Sequence, residues 1–173
     1  MEREVLSLQN KLNEQQDRSL RSTLIFKKIP YNKTTETSWE DTKIVLASEI
    51  SKRCPDFSFD YLKQSIERCH RNINNKGNNA ERIPSISARF TSWKDSSNFL
   101  NMLINSNKKD KKNTLTVSQQ YSDATTNRRN AALKERKLLI EQKKDMDYRV
   151  NYPAVLMGRK KNTNNRFTII KSF

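Results

Sequence analysis

The strongest constraint on the fold is an alternation of apolar period along residues 23–118. Thr23–Ile29 (TLIFKKI) is a β-branched and aromatic run halted by Pro30, as a strand would be. Ser38 can cap a helix running from Trp39 to about Arg53, with Glu40 and Asp41 favourable in its first turn. Tyr61–Gln64 fits either period, whereas Ile66–Arg71 (IERCHR) reads as a strand and Asn72–Glu81 as a polar turn. Pro84–Phe90 (PSISARF) alternates strictly, which sends Ile86, Ala88 and Phe90 inward and Ser85, Ser87 and Arg89 outward. Ser92 opens a second helix to about Ile104, followed by the basic loop Lys108–Lys112 and a strand around Thr114–Ser118. The order βαββαβ predicts an α+β, ferredoxin-like domain with two helices on one face of a four-stranded antiparallel sheet.

Two further segments flank this domain. Met1, Val5, Leu8 and Leu12 follow a 4-3-4 spacing, one seam of a coiled coil, which Gln15 and Ser19 continue only with polar residues. Residues 1–20 are therefore either the end of a longer coiled coil or a frayed terminal helix, since a helix this short is marginal alone. After residues 21–119, Ser122 caps a predicted helix from Asp123 to about Lys144. Arg129, Arg136 and Lys143 lie on one stripe, and Ala124, Ala131 and Leu138 are expected to pack inward. Tyr148–Gly158 and Arg166–Lys171 read as two strands joined by an Asn-rich turn. Residues 120–173 thus form a small helix-plus-strands unit that ends on an apolar strand, and the natural protein is expected to continue.

Composition narrows the function. Hydrophobic residues are 34% and charged residues 31%, so two modest cores fit better than one large one. Gly77 and Gly158 are the only glycines, too few for a phosphate-cradling Gly-rich loop. Cys54, Cys69 and His70 are the only Cys and His residues, one short of a four-ligand structural zinc site. One disulfide is arithmetically possible, but no secretory signal is present and free thiols are expected. No base–nucleophile constellation or acidic cluster suggests an enzyme, and no cofactor is implied. The formal charge is +15, and residues 107–173 hold 17 basic against 6 acidic side chains. Such asymmetry fits a polyanion partner, because Lys and Arg release condensed counterions from phosphates. The basic segments lack the apolar face of an interfacial helix, so a membrane surface fits less well.

Five stretches in order carry a family resemblance: Ile66–Arg71 (IERCHR), Ala88–Trp93 (ARFTSW), Tyr121–Arg129 (YSDATTNRR), Ala132–Lys137 (ALKERK) and Tyr152–Leu156 (YPAVL). Over about Arg21–Phe173 the chain resembles the RNA-binding protein encoded by the first open reading frame of LINE-class retrotransposons. The resemblance implies a trimeric coiled coil, an RNA-recognition-motif domain and a basic C-terminal domain. It implies proteins that coat their own transcript in cytoplasmic ribonucleoprotein particles, with nuclear entry, and act as nucleic-acid chaperones. They support target-primed reverse transcription by the element's separately encoded reverse transcriptase. Carried onto this sequence, RNA contact falls to Arg68, Arg89, Arg128, Arg129 and Tyr152. Ile25 and Thr116 depart from the family by standing where some members carry a basic residue.

The residues themselves suggest how such binding would work. The outward positions of the first and third strands are Ile25, Lys27, Ser85, Ser87 and Arg89, with no aromatic on which a base could stack, while Phe26 and Phe90 take the inward register. Affinity would then come from Arg and Lys on phosphates, in a cleft between the sheet and the C-terminal unit and without sequence preference, for single-stranded RNA and also single-stranded DNA. Arg71 beside Arg68, Arg136 on the basic stripe, Arg159, Lys160, and the loop lysines Lys108, Lys109, Lys111 and Lys112 complete the candidate set. Val5, Leu8 and Leu12 are the candidate oligomerisation residues. For Arg68 and Arg89 the competing role is a surface ion pair with Glu67 or a neighbour, for Tyr152 domain packing, and for the basic stripe a solvated helix face. A host-derived RNA regulator, and a coiled-coil scaffold binding an acidic protein, stand as alternative functions.

Overall fold

The computed structural model describes residues 2–73, 83–109 and 115–173. Among them the chain is α+β, with two antiparallel sheets. It divides into two compact units, Ser19–Gln120, and Met1–Arg18 together with Tyr121–Phe173.

In the first unit β1 (Thr23–Lys27), β2 (Ile66–Arg71), β3 (Ile86–Phe90) and β4 (Thr116–Gln119) form a sheet in the order β2-β3-β1-β4. One face is covered by α2 (Trp39–Arg53), α3 (Phe59–Ser65) and α4 (Trp93–Lys109). Local chemistry starts each helix. Ser38 and Asp41 make a reciprocal capping box, with Asp41 N–H donating to Ser38 Oγ at 3.2 Å and Ser38 N–H to Asp41 Oδ2 at 2.9 Å. Ser58 accepts from Tyr61 N–H, which settles the ambiguous Tyr61–Gln64 stretch as the short helix α3 leading straight into β2. The expected two helices are therefore three.

The inward alternation expected of β3 is present: Ile86, Ala88 and Phe90 are buried with Leu24, Phe26, Leu46, Ala47, Ile50, Leu62, Ile66, Cys69 and Leu103. Phe99 of α4 lies at the centre, its ring 6.3 Å from Phe26, 4.5 Å from Phe57 and 5.3 Å from Phe90. Burial pushes the Cys69 thiol up to about 12, against the pull of Arg71 and Lys43, so it stays a protonated core residue. Both cysteines are free and buried.

The second helix extends five residues beyond the expected end at Ile104. At its last turn the Asn107 side chain clasps the backbone of Leu115, donating to the carbonyl at 2.7 Å and accepting from the N–H at 2.9 Å. Lys108 and Lys109 are consequently helical rather than part of a loop, and Lys111 and Lys112 lie outside the described residues.

The second unit contains α1 (Glu2–Leu20) over most of its length, α5 (Asp123–Gln142), and a sheet β5-β6-β7 of Met146–Asn151, Val155–Lys160 and Thr168–Ser172. The expected single strand Tyr148–Gly158 is thus a hairpin, broken at Tyr152–Pro153, whose missing N–H cannot join a ladder. Its apolar core is small: Ala132, Tyr148, Ala154 and Leu156 are its buried hydrophobic residues. Val5, Leu8 and Leu12 are 51%, 65% and 54% exposed on α1.

Candidate nucleic-acid interface

The open face of the four-stranded sheet is set by strand register. Arg89 of β3 lies opposite Arg68 of β2 on one side and Thr23 of β1 on the other, and Ile25 pairs with Ser87 and Ser118. Arg68, His70 and Lys27 are exposed on this face, which carries no aromatic among the described residues. Two arginines directly opposed across a ladder repel one another. Glu67 relieves only part of this, through a 3.3 Å ion pair to Arg89 whose members are more than half exposed. Ser87 points outward as expected yet is buried, because Asn72 Nδ2 donates to Ser85 Oγ at 2.9 Å and to Ser87 Oγ at 3.0 Å. At the Arg89 end of the sheet, Trp93 is 50% exposed with the Arg21 guanidinium 5.1 Å from its ring centroid. This aromatic sits in the ARFTSW stretch but escapes a strand-face reading, since it opens a helix.

Arg71 is not a surface contact. All five of its N–H donors are used inside the unit: Nε and Nη2 on the two Glu36 oxygens at 2.9 and 2.8 Å, Nη1 on the Ile29 and Pro84 carbonyls, and Nη2 also on the Pro30 carbonyl. The Arg71 and Glu36 side chains are 3% and 1% exposed. The reason is parity: Arg71 is two residues from buried Cys69 and opposite Ile86, so it faces the helices.

In the second unit two members of the basic stripe, Arg129 and Arg136, also turn inward. Ala131 and Leu138, expected to pack, are exposed; Thr125 and Ala132 are the buried residues of α5 instead. Arg136 Nε donates to the Tyr148 carbonyl at 2.8 Å, tying α5 to β5, and Arg129 Nη1 donates to the Pro153 carbonyl at 3.4 Å. Lys143 is the C-cap and is exposed. The apolar residues of α5 are scattered around its circumference, so backbone hydrogen bonds to arginine select the packed face.

The N-terminus of α5 gathers the remaining candidates. Tyr152 is 50% exposed, its ring 6.1 Å from Tyr121 in a stacked arrangement, and the Arg129 guanidinium lies 4.7 Å from the Tyr121 centroid. Arg128 is close enough to Tyr152 to act on its hydroxyl electrostatically. What fixes this group is Asp17 of α1, which no local pattern marked because its partners are more than a hundred residues away. Its carboxylate accepts from Ser122 N–H at 2.7 Å, Thr125 Oγ1 at 2.7 Å and Tyr152 Oη at 3.0 Å. Burial pushes the Asp17 carboxyl up, but the hydrogen bonds from Thr125, Ser122 and Tyr152 outweigh it and hold the group below its usual range. Burial and then the Asp17 hydrogen bond push the Tyr152 hydroxyl up, so at neutral pH it remains a donor. The Tyr152 ring is thereby held half in solvent with two arginines at hand.

Arg159 and Lys160 lie on β6, Lys160 exposed at its end and Arg159 3.6 Å from Asp147. No group of three or more His, Cys, Asp or Glu among the described residues could hold a metal ion, and none of their helices is long and apolar enough to cross a membrane. Comparison with family models and with curated proteins returns no match for this chain.

Proposed function

We propose that this chain binds single-stranded RNA, and single-stranded DNA, with little sequence preference. In this reading it coats the transcript of a LINE-class element as a nucleic-acid chaperone, without catalysis of its own. The strand order β2-β3-β1-β4, with helices on one face, supports reading the first unit as a ferredoxin-like RNA-recognition motif whose sheet has lost its aromatic platform. The observation that carries the proposal is the Tyr152 ring, stacked on Tyr121, pinned by Asp17 and flanked by Arg128 and Arg129. A base can stack on a ring fixed in advance, and arginine can grip the adjoining phosphate; neither interaction reads sequence. Arg68 and Arg89 offer a second phosphate grip on the open sheet face. The exposed Val5, Leu8 and Leu12 suit self-association through a coiled coil, a homotrimer in the family, within a particle that also holds the reverse transcriptase.

Fluorescence anisotropy with a mixed-sequence single-stranded RNA across a salt series tests this. Binding should weaken with a slope implying several phosphate contacts, and Arg128→Ala should lower that slope by about 0.7. Tyr152→Ala should weaken binding about 5- to 100-fold with the slope unchanged, as loss of one stacked base would. Absence of binding at low salt, or strong preference for one motif, overturns the proposal.

A further inference from the structure

The outer face of the C-terminal sheet has a composition the Tyr152 group does not account for. Tyr148, Leu156 and Gly158 are buried, so by alternation Asp147, Arg149, Met157 and Arg159 point the other way. Arg159 is opposite Asp147 and Arg149 opposite Met157, which makes the two arginines diagonal neighbours, within reach of one another for side chains this long. Both converge on one ring: the Arg149 guanidinium carbon is 4.0 Å and that of Arg159 4.6 Å from the centroid of Phe167. Met157 in turn pairs with Ile169 of β7, which is 67% exposed, so an apolar row runs beside the two cations.

This arrangement is incomplete as an internal contact. Asp147 is the one carboxylate among the described residues paired with either arginine, and at 3.6 Å from Arg159 Nε it is too far for a hydrogen bond. Arg159 Nε is buried with no hydrogen-bond partner among the described residues. Arg149 is exposed and has no ion pair or hydrogen bond among them. Residues 159–171 (RKKNTNNRFTIIK) add five basic side chains and no acidic one. Two guanidiniums that share one aromatic ring and leave N–H donors unfilled offer those donors to phosphate oxygens. The apolar row alongside provides a surface for a flat, unpaired ring.

We propose that Arg149, Phe167 and Arg159 form a phosphate-binding surface for single-stranded nucleic acid, distinct from the Tyr152 stack, with the base of the bound nucleotide lying on Met157 and Ile169. The inference rests on reading the chain as a single-strand binder. Phe167 holds the guanidiniums against their mutual repulsion, and Arg is required rather than Lys because two planar forks share one ring.

The test is the salt dependence of binding to an unstructured oligouridylate RNA. Arg149→Gln with Arg159→Gln should lower the slope by about 1.4, two phosphate contacts, and weaken binding more at low salt than at high. Arg149→Lys with Arg159→Lys keeps the charge and guards against a folding defect; it should keep the slope while losing affinity. Phe167→Leu should weaken binding about 2- to 5-fold with the slope unchanged. A slope indifferent to the Arg149/Arg159 pair but lowered by Arg128→Ala overturns this inference and leaves the proposed function standing. No binding by the unaltered chain overturns both. Displacement of the RNA by poly-glutamate of equal length and at equal concentration, lost in the Gln variant, identifies an acidic protein as the occupant and also overturns it.

Discussion

The two units solve the same problem, holding a sheet against helices, with opposite chemistry. Ser19–Gln120 does so with a continuous apolar cluster of aromatic and aliphatic side chains from every element. The unit containing Tyr121–Phe173 buries four hydrophobic residues among those described, and its elements are tied by polar side chains instead: Asp17 to Ser122, Thr125 and Tyr152, Arg136 to Tyr148, and Arg129 to Pro153. Hydrophobic burial is non-directional and tolerates change at the surface. A polar network is directional, so the groups that hold the second unit together are also those that aim its exposed ring and cations. A unit built this way couples stability to binding, whereas the first can separate them.

The largest test of that contrast is within the apolar core. Phe99→Ala removes a ring that meets three others and should cost the first unit about 3–5 kcal/mol in urea unfolding. Trp39 and Trp93 both lie in that unit, so tryptophan fluorescence reports on it alone. Next is Arg71→Met, which strands buried Glu36 and should cost about 3 kcal/mol or more. Adding Glu36→Leu should restore most of the loss, since a buried pair replaced by apolar groups is near neutral. Neither Arg71 variant should change the salt slope of RNA binding when folded. A reduced slope would return Arg71 to the interface.

Arg71 also shows what the sequence could convey. The strict alternation of PSISARF and the capping Ser38 are local, and the strand and cap they imply are where they were expected. Arg71 obeys the same alternation from Cys69, yet a basic residue in a basic chain reads as surface until its five acceptors come together from Ile29, Pro30, Glu36 and Pro84. For Arg129 and Arg136 the seven-residue stripe was visible but its direction was not, because α5 has no dominant apolar side to oppose it. Asp17 gave no signal at all: it lies off the heptad seam, and all its partners follow the whole first unit in the chain. Arg149 and Phe167 were legible only in part: alternation alone puts Arg149 on the face opposite Tyr148, but bringing it beside Arg159 requires knowing that the chain turns back at Tyr152–Pro153.

The polar network makes the intermediate prediction. Asp17→Ala removes a carboxylate accepting three hydrogen bonds and should cost the second unit about 1.5–3 kcal/mol, read from amide hydrogen exchange at Leu156. The same change should loosen Tyr152 and weaken RNA binding with no change in salt slope. The sign with pH follows from the direction of the shift. Asp17 is held below its usual range in the folded chain, so its contribution is fully present above the unfolded carboxyl value and is lost as pH falls through the lower folded one. Tyr152 is shifted upward, so its contribution is present below its ordinary value and lost as pH rises through the folded one. Protection at Leu156 should decline at both extremes, and Asp17→Ala should flatten the acid limb. An acid limb unchanged in that variant would detach Asp17 from the stability of this unit.

The smallest effect is expected where the two units resemble each other most, at exposed arginines. Arg89 and Glu67 are paired at 3.3 Å with side chains 56% and 55% exposed, so solvent screens the attraction and both side chains lose freedom in making it. A double-mutant cycle with Arg89→Ala and Glu67→Ala should give a coupling of about 0–1 kcal/mol. The RNA readout should run the other way: Glu67→Ala releases Arg89 beside Arg68 and should raise affinity, while Arg89→Ala lowers both affinity and slope. Binding that is indifferent to Glu67 and Arg89 alike would remove Arg89 from phosphate contact and leave Arg68 as the arginine of the open sheet face.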